Sequence, residues 1–496
     1  MPPIRFGHFG LAYICALVLF AAPAEAAKKN KSPANAPRNS IGVSVRLAFE
    51  AESLDWTRGD VPIHLINNVV EGLYEISADG RVVPAQALKL PKQIGPSRWE
   101  IRLKPRLKWS DGLALTAQDY VYAWNRLRSK ELASSYSALL DDVASYRASD
   151  ANTLEIITKK NVALEPALFT HWCTFPVSSS HLELHGEKWT KNAATIPVNG
   201  PYRITSGNLG TGFTLAPNSH HRSPGTLKKI EFLVIADDST ALRLYETGRL
   251  HFMTDLAGVD RLKIRSHADY RSVKAPVLIY LAMDLGHSLF SVTSNRRIIA
   301  EAIDRRSIER VLDGLATPSK NLSPDQPITE TDAAYSLPST GTLAGARFDF
   351  AFYEKGSNRN LVELIQNEFK KKLHIDATLI THDVKTYWAK LKERPFPLFL
   401  NSYGPPIWSS SYYFKLLTSS HPQNLGRWSN LEYDKAVEQS NWRKAALIFS
   451  REQPIIPLYF RRFEYLQKPE LKNVILNPMT SLYLKKATLD APFKAR

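Results

Sequence analysis

The side chains best suited to holding a metal ion fall in two pairs, His181 with His185 and His220 with His221. The first pair has helical i, i+4 spacing, which puts both rings on one face where they could chelate an ion. The acidic residues nearest to them read as ordinary helix surface, so the spacing alone builds no metal centre. The second pair, read as part of a strand, would point to opposite faces, which argues against a shared ion. Motifs for other chemistry are missing. The chain has no glycine-rich phosphate loop, no zinc-protease helix and no nucleophile-elbow serine. No metal or cofactor is expected, and no catalytic residue is assigned.

Charge narrows the partners. The chain of 496 residues carries a formal net charge of +16, which favours anionic partners such as acidic solutes, lipid head groups or nucleic acid. The same balance also suits a proteome of basic exported proteins. Nucleic-acid binding would need basic residues clustered with stacking aromatics, and here they are scattered. No nucleic-acid partner is expected.

The elements that must position a site come next. Residues 1–26 read as a secretory signal: Arg5 precedes the apolar run LAYICALVLFAA, and Ala24 to Ala26 offer small residues for cleavage. Cys15 lies inside that run behind Tyr13 and Ile14, which does not suit lipid attachment. Residues 27–40, rich in Lys, Asn, Pro and Ala, read as a disordered leader. With Cys173 the only cysteine after the signal, no intramolecular disulfide can form. No second stretch is apolar enough to span a bilayer, so the expectation is a soluble exported protein of two or three domains.

Strands and helices alternate along the rest, in a mixed α/β pattern. VSVRLAF, from Val43, alternates like a strand with one wet face, and RWEIR does the same around Ile101. In KWSDGLALTAQDYVYAW, Asp111-Gly112 marks a turn, Thr116 is an N-cap and Asp119 completes a capping box. Tyr120, Trp124 and Leu127 then give the helix one apolar face. Helical periodicity also runs unbroken from Ile298 to Leu312, with Gly314 beyond it. A Pro/Ser/Thr-rich patch occupies 318–342.

Several stretches resemble, in sequence and in order, the extracellular solute-binding proteins of the oligopeptide, dipeptide and nickel-binding family. They include SLDW, EGLYEISADGRVVPAQA, WSDGLALTAQD, NGPYRI, RLYETGRLHF and PIIPLYFRR, and they cover nearly all of the chain from Val43 onward. The resemblance implies a periplasmic-binding-protein-like α/β fold of type II, with two lobes, a hinge and an extra domain. It divides the chain into lobe I (41–72, 186–274 and 466–496), a supporting domain (73–185) and lobe II (275–465). It implies a monomeric periplasmic receptor that closes over a peptide or other small solute and delivers it to an ABC permease complex in the inner membrane. A sensor or scaffold of the same fold, working without an importer, is the alternative.

The resemblance also places the ligand site. Asp60 and Pro62 match cleft positions after the SLD segment, and Tyr136 matches a cleft tyrosine. Ala282 falls where other members carry a ligand-facing acid, so that charge is lost. Peptide-binding members carry a Trp-x-x-Asp-Tyr segment whose aspartate holds the α-ammonium group. Here Tyr403 takes the aromatic position, Gly404 follows, Pro405 and Pro406 fall where the acid belongs, and Trp408 comes after; no carboxylate lies between Asn401 and Phe414. Either another acid such as Asp60 substitutes, or the ligand lacks a free α-amino group. The loss, taken with the basic charge, favours an anionic or neutral solute, against a generic peptide cleft held by backbone hydrogen bonds.

Overall fold

The strand at Val43–Leu47 (β1) is buried at all five positions, where alternation predicted one wet face. It lies inside a sheet, with parallel neighbours on both sides, so both of its faces are covered. The structure is a computed structural model that describes residues 42–490, apart from 49, 135, 161, 255, 257–260 and 325–342. The expected signal peptide, the leader and most of the Pro/Ser/Thr-rich patch lie outside the described residues.

Four strands build a separate antiparallel sheet: Lys92–Gly95 (β2), Arg98–Arg102 (β3), Val143–Asp150 (β4) and Thr153–Thr158 (β5). Their order is β2-β3-β5-β4. The helices before and beside it are Ile63–Val69 (α1) and Ala117–Arg128 (α2). At the start of α2 the expected capping box is present: the Asp119 carboxylate accepts the Thr116 N–H at 2.8 Å. Tyr120, Trp124 and Leu127 are fully buried, each contributing roughly 1.5–3 kcal/mol of apolar burial.

The main sheet continues with Tyr202–Asn208 (β6), Gly212–Pro217 (β7), Ile230–Val234 (β8), Phe252–Thr254 (β9), Tyr270–Met283 (β10) and Ala316–Pro318 (β11). Arg347–Tyr353 (β12), Asp376–His382 (β13), Leu398–Tyr403 (β14) and Ile455–Gln467 (β15) complete it. The strand order is β13-β12-β14-β10-β15-β9-β1-β8-β7-β6, with β11 also pairing β15. Two long antiparallel strands, β10 and β15, therefore join the half of the sheet around β1 to the half around β12. Tyr270 to Lys274 pair with Leu466 to Arg462, the ladder shifts register between Lys274 and Leu278, and Leu278 to Ala282 pair with Phe460 to Ile455.

Packing follows the same division. One core joins β1, β6, β7 and β8 to α1, α2 and the four-stranded sheet. Along β10, Ile279, Leu281 and Met283 enter a second core while Leu278, Tyr280 and Ala282 enter a third on the opposite face, the period-two alternation of a strand buried on both sides. The helical run expected over 298–312 is two helices, Thr293–Ala302 and Arg305–Val311. Asp304 splits them by capping the second, its carboxylate accepting the Arg306 N–H at 3.0 Å. Cys173 is a buried free thiol. Among the described residues no helix is long and apolar enough to cross a membrane.

Candidate ligand-binding site

Strands β1 and β8 run parallel and end at Leu47 and Val234; β12 and β14 run parallel and end at Tyr353 and Tyr403. In α/β sheets ligands sit outside the carboxyl ends of such strands. Most of the residues singled out from sequence lie on the segments that follow β1 and β14.

Asp60 is exposed and adopts φ 56°, left-handed backbone that an aspartate tolerates at modest cost. Pro62 is buried at the entry to α1, its carbonyl accepting the Leu65 and Ile66 N–H groups at 2.9 and 3.0 Å. What holds this loop is a residue that the sequence reading passed over, Asp55. Its carboxylate accepts the Thr57 N–H at 3.0 Å, the Thr57 hydroxyl at 2.6 Å and the Arg126 guanidinium at 2.7 Å. Arg126, on α2, also donates to Glu187 at 2.7 and 3.0 Å. Burial alone would lower its pKa, but the two carboxylates outweigh burial and hold it above its ordinary value. The SLDW segment is thereby tied to α2, across 71 residues of chain.

Tyr136 is half-buried, its ring 5.0 Å from that of His171 and 5.5 Å from that of Trp172. His171 and Trp172 stack at 3.7 Å. Burial pushes the His171 imidazole down to about 3, so it stays neutral, and its Nδ1 accepts the Cys173 N–H at 3.3 Å. Among the described residues the buried Trp172 indole N–H has no partner.

Ala282 is 2% exposed, between Phe399 and Ile455 in the ladder, and packs in a core. Tyr403 is buried as well; its hydroxyl donates to the Tyr412 carbonyl at 3.3 Å and its ring meets Tyr413 edge-on at 5.7 Å. Tyr413 donates to the Pro276 carbonyl at 2.6 Å, which ties it to β10. Gly404 is half-buried, and Pro405 and Pro406 are buried. The segment then leaves the main sheet and docks elsewhere. Ile407 enters the core shared by β1 and α2, and the half-buried Trp408 lies over Gly80 of the 77–80 turn, where a Cβ would come within 3.1 Å of the indole. Ser409 donates to Glu165 at 2.8 Å, and Lys415 pairs with Asp142 at 2.6 Å. Glu165, outside the acid-free 401–414 segment, is thus the carboxylate that reaches it. The structure gathers Tyr403 to Trp408 along one segment but does not bring Ala282 to any surface.

The histidines resolve differently from their sequence reading. His220 and His221 follow the end of β7 in a turn, not in a strand. His221 Nε2 lies 3.2 Å from the buried Glu71 carboxylate, which also accepts from Gln86 at 2.5 Å. Burial would raise the Glu71 pKa, but the His221 bond and charge outweigh it and hold the carboxyl below its ordinary value. His181 and His185 share the helix Ser179–His185 (α3) with ring centroids 4.4 Å apart, and His181 Nε2 is 3.1 Å from the Trp189 carbonyl. Among the described residues no three ligating side chains come together around an ion. A polar groove lined by Glu363, Gln366, Lys370 and Asp376 includes none of the candidate residues.

Comparison with known proteins gives this geometry its context. Residues 81–424 match the family model of bacterial extracellular solute-binding proteins, family 5 Middle. The Escherichia coli probable deoxycholate-binding periplasmic protein YgiS is 25% identical over 481 residues, covering 86% of this chain and 89% of that protein. The periplasmic murein peptide-binding protein MppA of the same organism gives the same identity and coverage. Among solved structures, the unliganded open form of MppA superposes with a TM-score of 0.79 at 23% identity, covering 90% of this chain and 97% of that one. A second MppA structure gives 0.66, and Listeria monocytogenes OppA bound to peptide gives 0.65 at 25% identity, covering 91% of this chain and 100% of that one. The family model spans more than half of the chain and runs through β10, β12, β14 and the 404–415 segment just described: the chain belongs to the bacterial extracellular solute-binding proteins of family 5.

Proposed function

We propose that the protein captures a peptide or other small solute between two closing lobes and presents it to the permease of an ABC importer. One observation carries the closing mechanism: the two halves of the main sheet are joined by β10 and β15, whose ladder breaks register between Lys274 and Leu278. Rotation about two strands at one level lets the lobes approach, while the 404–415 segment, with Ile407 in the core of β1 and α2, stays docked on that core. Ligand contacts made only in the closed form then shift the population toward it, and a micromolar receptor needs about 8 kcal/mol of net binding free energy. The superposition on an open, unliganded relative, with a TM-score of 0.79, is better than that on a peptide-bound one, with 0.65, which supports reading the described state as open.

In this reading lobe I comprises 41–72, 186–274 and 466–496, the supporting domain 73–185 and lobe II 275–465. Asp60, Tyr136 and the Tyr403, Gly404, Pro405, Pro406 and Trp408 run face the ligand on closure. Pro62 and Ala282 shape the site from behind. The prolines replace an ammonium anchor, so the solute is neutral or anionic, a class that includes the deoxycholate for which YgiS is named. The protein acts as a monomer in the periplasm after signal cleavage, binds no nucleic acid and catalyses no reaction. Small-angle scattering of the mature chain with and without a tripeptide mixture tests closure: a smaller radius of gyration on binding is expected, and binding with an unchanged radius overturns the hinge.

A further inference from the structure

The antiparallel sheet of β2 to β5 buries one face and leaves the other without a cover. Ile101 on β3, with Leu154 and Ile156 on β5, enters the core shared with α2, so the residues between them point outward. The register sets these in rows: Arg98 lies beside Ile157, Glu100 between Lys92 and Glu155, and Arg102 beside Thr153. Strand β2 is an edge, paired with β3 alone, and Leu88 extends that edge by donating its N–H to the Arg102 carbonyl at 2.7 Å. Nine large apolar side chains are exposed among the described residues, and four of them, Leu88, Leu90, Ile94 and Ile157, gather on this sheet at 40–51% exposure. Singly such residues are ordinary; gathered on an uncovered face they mark an interaction surface.

Charge says what that surface fits. Residues 81–108 hold eight Lys or Arg and one Glu, and in the run LKLPKQI from Leu88 to Ile94 two lysines are interleaved with three of the exposed apolar side chains. The carboxylates of the outer face are already taken: Glu100 accepts from Arg102 at 2.9 Å, and Glu155 from Arg147 at 2.7 Å. Lys89, Lys92 and, just past the end of β5, Lys159 are exposed, and among the described residues their side chains make no hydrogen bond or ion pair. A lysine stem can lie along an apolar surface while its ammonium stays at a phosphate. An anionic lipid surface therefore suits this mixture: headgroup phosphates neutralise the lysines, the acyl boundary receives the leucines and isoleucines, and no matching shape is required of the partner.

We infer that the outer face and β2 edge of this sheet form a docking surface for a membrane rich in anionic lipid, on which the protein rests reversibly. The inference goes beyond the solute-receptor reading, and its test uses no solute. The mature protein is sedimented with vesicles of phosphatidylglycerol and phosphatidylcholine in equal parts, and separately with vesicles of phosphatidylcholine alone, at low and at physiological salt. The partition coefficient is expected to be about tenfold higher on the anionic vesicles and to fall as salt rises. The double variant Lys89→Gln with Lys92→Gln should lower it about tenfold, and Leu90→Ser with Ile94→Ser should lower it comparably. Leu431→Ser with Lys435→Gln removes an exposed leucine and an exposed lysine from the helix Leu431–Glu438 instead, and should leave it within about twofold. Thermal melting shows that each variant is folded. Equal partition onto both kinds of vesicle, or anionic binding that survives both sheet variants, overturns the inference. So does a dimer seen without vesicles and abolished by Leu90→Ser with Ile94→Ser, which would assign the face to a second copy of the chain.

Discussion

Replacing Asp55 with Asn should be among the most damaging single-atom changes available in this protein. The carboxylate side chain is 5% exposed and its partner Arg126 11% exposed, so neither is well solvated. In Asp55→Asn one oxygen can still accept from Thr57, but the amide nitrogen then faces the Arg126 guanidinium, placing donor against donor. Leaving one partner of a buried pair uncompensated costs about 3–5 kcal/mol. Glu187 still neutralises Arg126, yet it is 62% exposed and screened, so it recovers only part of that. The expected loss is about 3 kcal/mol. Urea unfolding followed by tryptophan fluorescence reads this junction directly, because Trp56 and Trp189 meet edge-on at 5.0 Å and the Trp189 indole points at Asp55. In a double-mutant cycle with Arg126→Met, the pair should lose less than the sum of the single losses. A loss under about 1 kcal/mol for Asp55→Asn, or strict additivity, would refute the reasoning that this pair fastens the 53–62 loop to α2.

Other consequences are smaller but distinct. His171 binds its proton in the folded state only near pH 3, while the unfolded chain binds it near the ordinary 6.5, so stability should fall as pH drops through that window, by up to about 1.4 kcal/mol per pH unit. His171→Asn should flatten that slope in pH-dependent unfolding; an unchanged slope would place the titration elsewhere. Glu71, whose folded pKa is lowered, contributes stability that is present above the ordinary carboxyl range and lost below it. Glu71→Gln should accordingly reduce acid sensitivity below about pH 4.5, measured in the same titration. Gly80→Ala combines φ +83° with a Cβ 3.1 Å from the Trp408 indole, and should cost about 1–2 kcal/mol and shift tryptophan emission. The Lys415–Asp142 pair is partly exposed, so Asp142→Asn should change stability by less than about 1 kcal/mol in the same urea assay.

How much of this was legible depended on sequence distance. The capping box at Thr116 and Asp119 could be read because the chemistry repeats every time a helix starts that way. The strand-helix alternation was legible for the same local reason. The wet face expected for β1 was wrong because Ser44 and Arg46 look polar, while in the sheet Arg46 is buried with its guanidinium donating to the Ile235 and Ala236 carbonyls at 2.9 and 3.1 Å. Periodicity carried the 298–312 helix straight through Asp304, although an aspartate before an Arg-Arg-Ser turn was itself a cap signal. Asp55 with Arg126 and Ser409 with Glu165 are pairings across 71 and 244 residues, and no local pattern announces them. The candidate site segments were found only through family resemblance; their burial, above all that of Pro405 and Pro406, goes with a segment that leaves β14 and docks Ile407 in the core of β1 and α2.

The central claim is that this chain carries a small solute between its lobes. Native mass spectrometry of the mature protein, purified from its own host without denaturation, tests it most directly by identifying what leaves on unfolding. One neutral or anionic solute per chain is the predicted result, and a mixture of peptides with free amino termini would keep the receptor while contradicting the loss of the ammonium anchor. A chain that emerges empty and retains nothing when offered peptides and sugar phosphates would contradict the account as a whole.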